Sequence, residues 1–445
     1  MHVDLRSVKL ADPHTLVTVM RAFVYAKPSA DDPGMVPSIG WGLWDSPYPT
    51  YARGVMSRAQ LKVSGSLANK YEGVPPVWLT MMKSEDFWGQ FVPYQNSSHF
   101  CCTDEDVEAG DCGAKRQLRL PRDIRSRVLS APVALSATRQ LVTDAAFPLS
   151  HTGVYYLLLA NCMDRGDKVR DGDQLRGDVY IEGTHGFLSG VDVPKLHLYF
   201  SMTMLWSVLV VWWMVAIHSY QEHLHFIHNF LSLLLSVVLF EQLVSYITYS
   251  WENDSSQGAG VIIKFVQVAA TGIKNTFVGT LLLLLCLGVY SVLTKPLVPH
   301  LKIKVWLLAT TFFTTDLLRN TLNKFHTELN LGVTTLVLAS LPLTICAAGG
   351  AVWGWSNLHT SLYETRKQMN LVKETMLSKL RRILVVGAGF FITCLAAQTC
   401  AYLNDPENVW KYEWLYTDGA PGILFYFTVA CIAIIIRPSL NKEEL

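Results

Sequence analysis

Beyond residue 195 the chain is a series of long apolar runs separated by short polar stretches. A helix must offer roughly 20 apolar residues to cross a hydrocarbon core of about 30 Å. Seven runs meet or approach that length: Leu196–His218, Phe226–Ile247, Gly272–Leu293, Val305–Leu318, Leu331–Trp355, Ile383–Tyr402 and Ile423–Ile436. The fourth and seventh are short, and reach full length only if flanking polar residues join the helix. Within lipid only helices and closed barrels satisfy every backbone group, and runs this long are not barrel strands. Ahead of residue 190 the pattern changes. Thr15–Tyr25, Gln60–Ser64, Val77–Met82, Val154–Leu159 and Gly177–Ile181 alternate or are rich in β-formers. Turn clusters such as Asp31-Asp32-Pro33-Gly34 and Asp171-Gly172-Asp173 separate them. The pattern predicts a membrane protein of two domains: residues 1–190 as an all-β sandwich and residues 191–445 as a seven-helix transmembrane bundle with a short tail.

Composition supports the split. Half of the residues are hydrophobic (50%) and 16% are charged, against about 25% charged in soluble domains. The net charge of +1 and the lack of a basic, aromatic-interleaved patch exclude nucleic acid as the expected partner. Charge in the loops sets the orientation. Lys295, Lys302, Lys304, Arg366, Lys367, Lys373, Lys379, Arg381, Arg382, Arg437 and Lys442 fall on one side of the seven spans; Lys264, Lys324 and Lys411 fall on the other. Cytosolic loops hold the excess of Lys and Arg, so the N-terminal domain is expected in the lumen and the tail in the cytosol. The outer loops are acidic, with Glu252, Asp254, Glu328, Asp405, Glu407 and Glu413. Two sequons, at Asn96 and Asn253, fall on the luminal side and are candidate glycosylation sites. Met1–Arg6 has neither the basic region nor the apolar core of a signal peptide. A luminal domain of this size needs one, so the natural precursor is expected to carry it upstream, or the reading frame to be truncated.

Four of the nine cysteines, Cys101, Cys102, Cys112 and Cys162, lie in the polar half. In an oxidising lumen they are candidates for two disulfides, with three pairings open. Adjacency directs Cys101 and Cys102 to different partners. The rival zinc site lacks a second CxxC or a His pair. Cys286, Cys346, Cys394 and Cys431 sit inside apolar runs and read as small hydrophobes.

Several short motifs carry a family likeness. Thr152-Gly153-Val154-Tyr155-Tyr156-Leu157 leads into Asn161-Cys162, followed by Gly177-Asp178-Val179-Tyr180-Ile181 and His185-Gly186-Phe187-Leu188-Ser189-Gly190. In the apolar half come Phe240-Glu241, Gly272-Ile273-Lys274, Tyr290 before Lys295-Pro296, Asp316-Leu317-Leu318-Arg319, Trp414 with Asp418, and Arg437-Pro438-Ser439. From about Gly153 to Ser439 the chain resembles the Golgi-dynamics-domain seven-transmembrane family, the lung seven-transmembrane receptor-like group of Golgi membrane proteins. The resemblance implies a luminal, Golgi-dynamics-like β-sandwich on a seven-helix bundle, residence in the Golgi and endosomes or trans-Golgi network, and a role in membrane trafficking. It also implies lipid or hydrophobic-cargo binding, or cation conduction.

Ionisable groups inside a membrane are costly and mark functional or packing sites. Glu241 and Lys274 are expected near the luminal ends of the second and third spans. Asp316 and Arg319 are three apart and share one helix face. Asp418 opens the seventh span. Two readings are open for these five: a wet cavity that binds a headgroup, carboxylate or ion, or ion pairs of Asp316 and Arg319 with Lys274 and Glu241 that lock the helices. His218, His223, His225 and His228 surround the first cytosolic loop and read as interfacial histidines, so no metal is expected. The basic, Leu- and Met-bearing stretch Leu362 to Arg382 is the candidate site for a cytosolic partner; it lies along the membrane surface or extends the fifth and sixth helices. The C-terminal Lys442-Glu443-Glu444-Leu445 resembles a luminal retrieval signal on the wrong side of the membrane. The expected partners are thus membrane lipids, a luminal cargo protein and a cytosolic protein. No nucleophile elbow, phosphate loop or cofactor fingerprint stands out, so an enzyme is not expected, nor a cofactor. A heptahelical signalling receptor is the alternative by helix count, though Asp-Arg-Tyr and Asn-Pro-x-x-Tyr are absent at matching places. A cation channel or pH-sensitive conductance is the alternative by charge.

Overall fold

In the computed structural model the break in pattern separates two compact units. One runs to Val193 and takes in Trp251–Gly258; the other holds Pro194–Ser250 and Ala259–Leu445. The structure describes residues 2–9, 15–24, 57–66, 77–91, 101–113, 115, 117–132, 134–135, 140–149, 153–162, 174–182, 186–219, 224, 226–255, 259–288, 299–325, 333–369, 371–404 and 409–437. Asn96, His223 and His225 lie outside the described residues, as do most of the turn clusters between strands.

The first unit is built from strands β1 (His2–Lys9), β2 (Thr15–Val24), β3 (Ser57–Ser66), β4 (Val77–Lys83), β5 (Leu129–Pro132), β6 (Ala134–Leu135), β7 (Gln140–Leu149), β8 (Gly153–Asn161) and β9 (Gln174–Glu182). They form two antiparallel sheets, ordered β1-β9-β3-β7-β6 and β2-β8-β4-β5. The five segments picked out by alternation fall in β2, β3, β4, β8 and β9. The chain adds β1, β5, β6 and β7. Pro148 cannot donate to a ladder, yet β6 pairs only with Leu141 and Val142, so the proline lies beyond the paired stretch on that edge of β7.

Strand β8 is central and covered on both faces. Val154, Tyr155, Tyr156, Leu157, Leu158 and Ala160 are all buried. Tyr156 faces the turns that follow β4: the Phe87 ring stacks on it at 4.5 Å, and Trp88 Nε1–H donates to its hydroxyl at 3.1 Å. Leu157 points the opposite way by strand alternation and is still 1% exposed. Two disulfides resolve the open pairing: Cys101 joins Cys162, at the end of β8, and Cys102 joins Cys112. Within the smaller loop, Thr103 and Asp106 form a reciprocal capping box on the one-turn helix Asp104–Glu108.

The motif His185-Gly186-Phe187 has a steric reason. Gly186 sits at φ +118, and a Cβ there would meet the Asn253 side chain at 2.6 Å and its carbonyl oxygen at 2.7 Å. The next amide, of Phe187, donates to that same Asn253 carbonyl at 3.0 Å. Gly186→Ala is therefore expected to destabilise the fold by about 2–4 kcal/mol, through left-handed strain and steric overlap. A chain whose thermal midpoint in detergent is unchanged by that substitution would contradict the packing.

The second unit contains α1 (Val193–Ser219), α2 (Phe226–Asp254), α3 (Val261–Cys286), α4 (Pro299–Phe325), α5 (Val333–Lys367), α6 (Leu371–Asn404) and α7 (Ala420–Ile436). Six of the seven are long and apolar enough to cross a membrane; α4, with Lys302, Lys304, Asp316, Arg319 and Lys324, is the exception. As anticipated, polar flanks lengthen the fourth span, to 27 residues. The seventh is preceded by a π-helical turn, Leu415–Gly419. The third helix departs from expectation. It begins eleven residues before Gly272, because Val261–Ile263, Phe265, Val266 and Val268–Ala270 are apolar enough to carry Lys264 and Gln267. It ends at Cys286 because Gly288 turns left-handed at φ +71 and closes the last turn. The second helix likewise runs seven residues past Ile247, to Asp254.

The core gathers stripes at helical spacing. Met202, Trp206, Leu209 and Trp213 of α1 meet Ile227, Leu231, Leu234, Leu235 and Val238 of α2, with Val429, Ile432, Ala433 and Ile436 of α7. Packing is uneven along the bundle. Let the near side be the one on which α1 begins. Toward the far side, Leu358 and Leu362 of α5 and Leu377 and Leu380 of α6 belong to this core. Toward the near side, Leu343 alone is buried between Thr334 and Trp353, and nothing is buried between residues 385 and 404 of α6. Helices α5 and α6 are joined by residues 368–370 only. Met369 takes a left-handed conformation there, φ +54, at a backbone cost of about 1–2 kcal/mol for a residue with a side chain.

Candidate functional site: a buried polar centre in the helix bundle

Helices α2 and α3 each carry a polar stripe on an otherwise apolar cylinder. On α2 it is Glu241, Gln242, Ser245 and Thr248, and on α3 it is Gln267, Thr271, Lys274 and Asn275. Spacings of three, four and seven residues bring each set to one face. The faces meet. Lys274 Nζ lies 3.0 Å from Glu241 Oε1, with Glu241 only 2% exposed. The Thr271 hydroxyl donates to the same oxygen at 3.1 Å, and Gln242 Nε2 donates to Oε2 at 2.8 Å. Gln267 Nε2 donates to Ser245 Oγ at 3.2 Å. The Lys274 ammonium also lies 5.8 Å from the centre of the Phe425 ring of α7. The cluster closes on α4, where Asn275 Nδ2 donates to the buried Asp316 Oδ2 at 2.9 Å.

A second group sits where α7 begins. Asp418 accepts from Tyr199 OH at 3.0 Å and from Thr417 Oγ1 at 2.7 Å, and Lys195 Nζ lies 3.2 Å from it. Tyr199 stacks on Tyr249 at 5.4 Å, and Lys324 Nζ stands 5.3 Å from the centre of the Tyr249 ring. Sequence reasoning missed Lys195, Tyr199, Asn275 and Thr271. The polar stripes on α2 and α3 were legible as spacing. Lys195 and Tyr199 were not, because they sit at a helix end where polar residues are ordinary.

The five predicted residues thus divide. Glu241, Lys274 and Asp316 come together; Asp418 belongs to the other group. Arg319 is one turn from Asp316 on α4 and half-buried, and its Nε has no hydrogen-bond partner among the described residues. Helices α2 and α3 run on past their apolar runs. Glu241 and Lys274 lie thirteen residues inside the near-side ends of their helices, and Asp316 nine, which is about 20 Å and 14 Å along the axis. Of the expected partners, Glu241 pairs with Lys274, and Asp316 accepts from the Asn275 amide. Elsewhere, His228 is buried on α2, with Nε2 3.0 Å from the Ile436 carbonyl that ends α7. No group of three His, Cys, Asp or Glu among the described residues could hold a metal.

Six helices apolar enough to span among the described residues, with a charge pair set between two of them, define a polytopic integral membrane protein. Residues 194–443 match the family described as GOST, seven transmembrane domain, and the chain belongs to that family. Over 366 residues it is 22% identical to an uncharacterised protein of Schizosaccharomyces pombe, spanning 78% of this chain and 68% of that one. It is 22% identical to Transmembrane protein 87A of Xenopus tropicalis over 60% of this chain and 48% of that protein. Membrane protein PTM1 of Saccharomyces cerevisiae is 21% identical over 77% of this chain, which spans 66% of its length.

Proposed function

We propose that the chain serves membrane trafficking in the secretory pathway, resident in Golgi membranes and cycling to endosomes or the trans-Golgi network, as a binding protein and not an enzyme. Its near side faces the lumen, in line with the Lys and Arg excess on the far-side loops. There the two sheets of the first unit face one another as a sandwich, in line with the burial of β8 on both faces. The bundle holds a lipid or an acyl-bearing cargo. The observation that carries this reading is the bare near-side half of α6, an apolar helix with no buried residue over 20 positions. A helix that spends so little surface on its neighbours presents an apolar face to acyl chains.

A tagged chain is expected to overlap Golgi markers at steady state, and a stable plasma-membrane pool would count heavily against the reading. Native mass spectrometry of the chain in mild detergent should retain one phospholipid or fatty acid; a bare protein would argue against the lipid site. Conduction is the second reading, favoured by buried atoms without hydrogen-bond partners, Gln242 Oε1 and Gln267 Oε1, where water would bridge. Purified protein in planar bilayers that passes no current between pH 5 and 7 would reject it.

A further inference from the structure

We propose that the tip of the α5–α6 hairpin is a docking site for an acidic protein segment that carries an apolar anchor. The proposal draws on the orientation given above only for the compartment, which is cytosolic.

Geometry sets the tip apart from the bilayer. Met369 lies fourteen residues beyond Trp355, the last residue of the fifth apolar run, and Leu371 lies twelve before Ile383, the first of the sixth. At 1.5 Å per residue the tip stands about 18–21 Å past the hydrocarbon. The headgroup layer adds only about 5–8 Å on each side, and a tilt of about 20° shortens the reach by less than a tenth. The helices are continuous to the turn, so the stretch does not lie along the surface. The hairpin is also a firm platform: Leu358, Leu362, Leu377 and Leu380 are in the bundle core, and Thr365 is 1% exposed.

On that platform three large apolar side chains face water. Tyr363 is 67% exposed, Leu371 74% and Met369 86%. Beside them in sequence stand three basic residues, Arg366, Lys367 and Lys373, against Glu364 and Glu374, while Lys379, Arg381 and Arg382 follow within four residues of the sixth apolar run. Glu374 is already engaged by Arg366 Nε at 2.7 Å. A partner that complements this surface is acidic. The turn itself points the same way. Met369 is held left-handed, where glycine or asparagine would sit without strain, so the backbone does not select methionine there. Strain kept at an exposed position marks a site where the side chain is used.

The test places a photo-reactive benzoylphenylalanine at position 363, in place of the exposed Tyr363 ring, in the full chain in cells and sequences the cross-linked peptides. Adducts concentrated on an acidic segment of another protein are expected. Recovery of that protein should fall at least tenfold in Met369→Gly, which removes the anchor while relieving the turn, and in the charge reversal Lys367→Glu with Lys373→Glu. The melting temperature of Met369→Gly should hold or rise. Adducts to lipid alone, to a second copy of this chain or to a basic segment would overturn the proposal, as would no adduct, or full recovery in Met369→Gly. Orientation is read separately. A Met369→Cys chain should react with a membrane-impermeant maleimide once only the plasma membrane is opened; protection would reverse the compartment without touching the docking result.

Discussion

Replacing Lys274 by alanine is expected to cost about 3–5 kcal/mol, the largest single effect of any substitution in the helix bundle. Lysine and glutamate each lose hydration when they are placed inside the bundle. Their mutual attraction, with the hydrogen bonds from Thr271 and Gln242, restores it. Removal of the ammonium leaves a carboxylate 2% exposed to solvent with hydroxyl and amide donors only. Glu241→Ala strands the ammonium in the same way, although Lys274 keeps 15% side-chain exposure and can turn outward, so its cost is smaller. The informative comparison is Glu241→Leu with Lys274→Met, which replaces both charges by side chains of similar volume. That double variant should recover most of the loss, because a buried pair contributes little net stability over an apolar isostere. Thermal unfolding of the purified chain in detergent, read by tryptophan fluorescence, compares the wild type with these three variants. If Lys274→Ala and the double variant melt alike, the pair is not holding the helices.

Cys162→Ser is expected to cost the first unit about 4 kcal/mol, and Cys112→Ser about 2.7 kcal/mol, on the chain-entropy estimate for loops of 61 and 10 residues. The order matters more than the values, because the longer loop releases more of the unfolded chain. Cys162 also closes β8, whose residues are buried on both faces, so fraying there opens the centre of a sheet. Limited proteolysis should cut Cys162→Ser well before Cys112→Ser. An inverted order, or equal resistance of both to the wild type, would mean that loop entropy is not what these bridges supply.

Much of the fold was legible because membrane helices and half-buried strands obey strong periodicities. The seven spans, the five best strands and the segregation of cysteines all came from pattern. What pattern missed has local causes. β7 blurs its alternation at Val142-Thr143 and Ala145-Ala146, and β1 alternates only over Val3–Arg6 before slipping at Ser7-Val8, where its register shifts. The start of α3 was hidden by Lys264, since a charge in the first turn looks like a loop when only apolar runs are counted. That error moved Lys274 from mid-helix to an apparent helix end. For the site, the residue types were readable and their partners were not. Spacing placed Asp316 and Arg319 on one face, but it could not show that Asn275, an uncharged residue, would take the carboxylate.

The near-side stretches of α5 and α6 leave most of their surface to hydrocarbon. Between residues 334 and 353 of α5 and 385 and 404 of α6, only Leu343 is buried. Lipid tails are as apolar as leucine, so these faces gain nothing from turning toward a neighbour, and exchanges among apolar side chains there should be tolerated where those in the core are not.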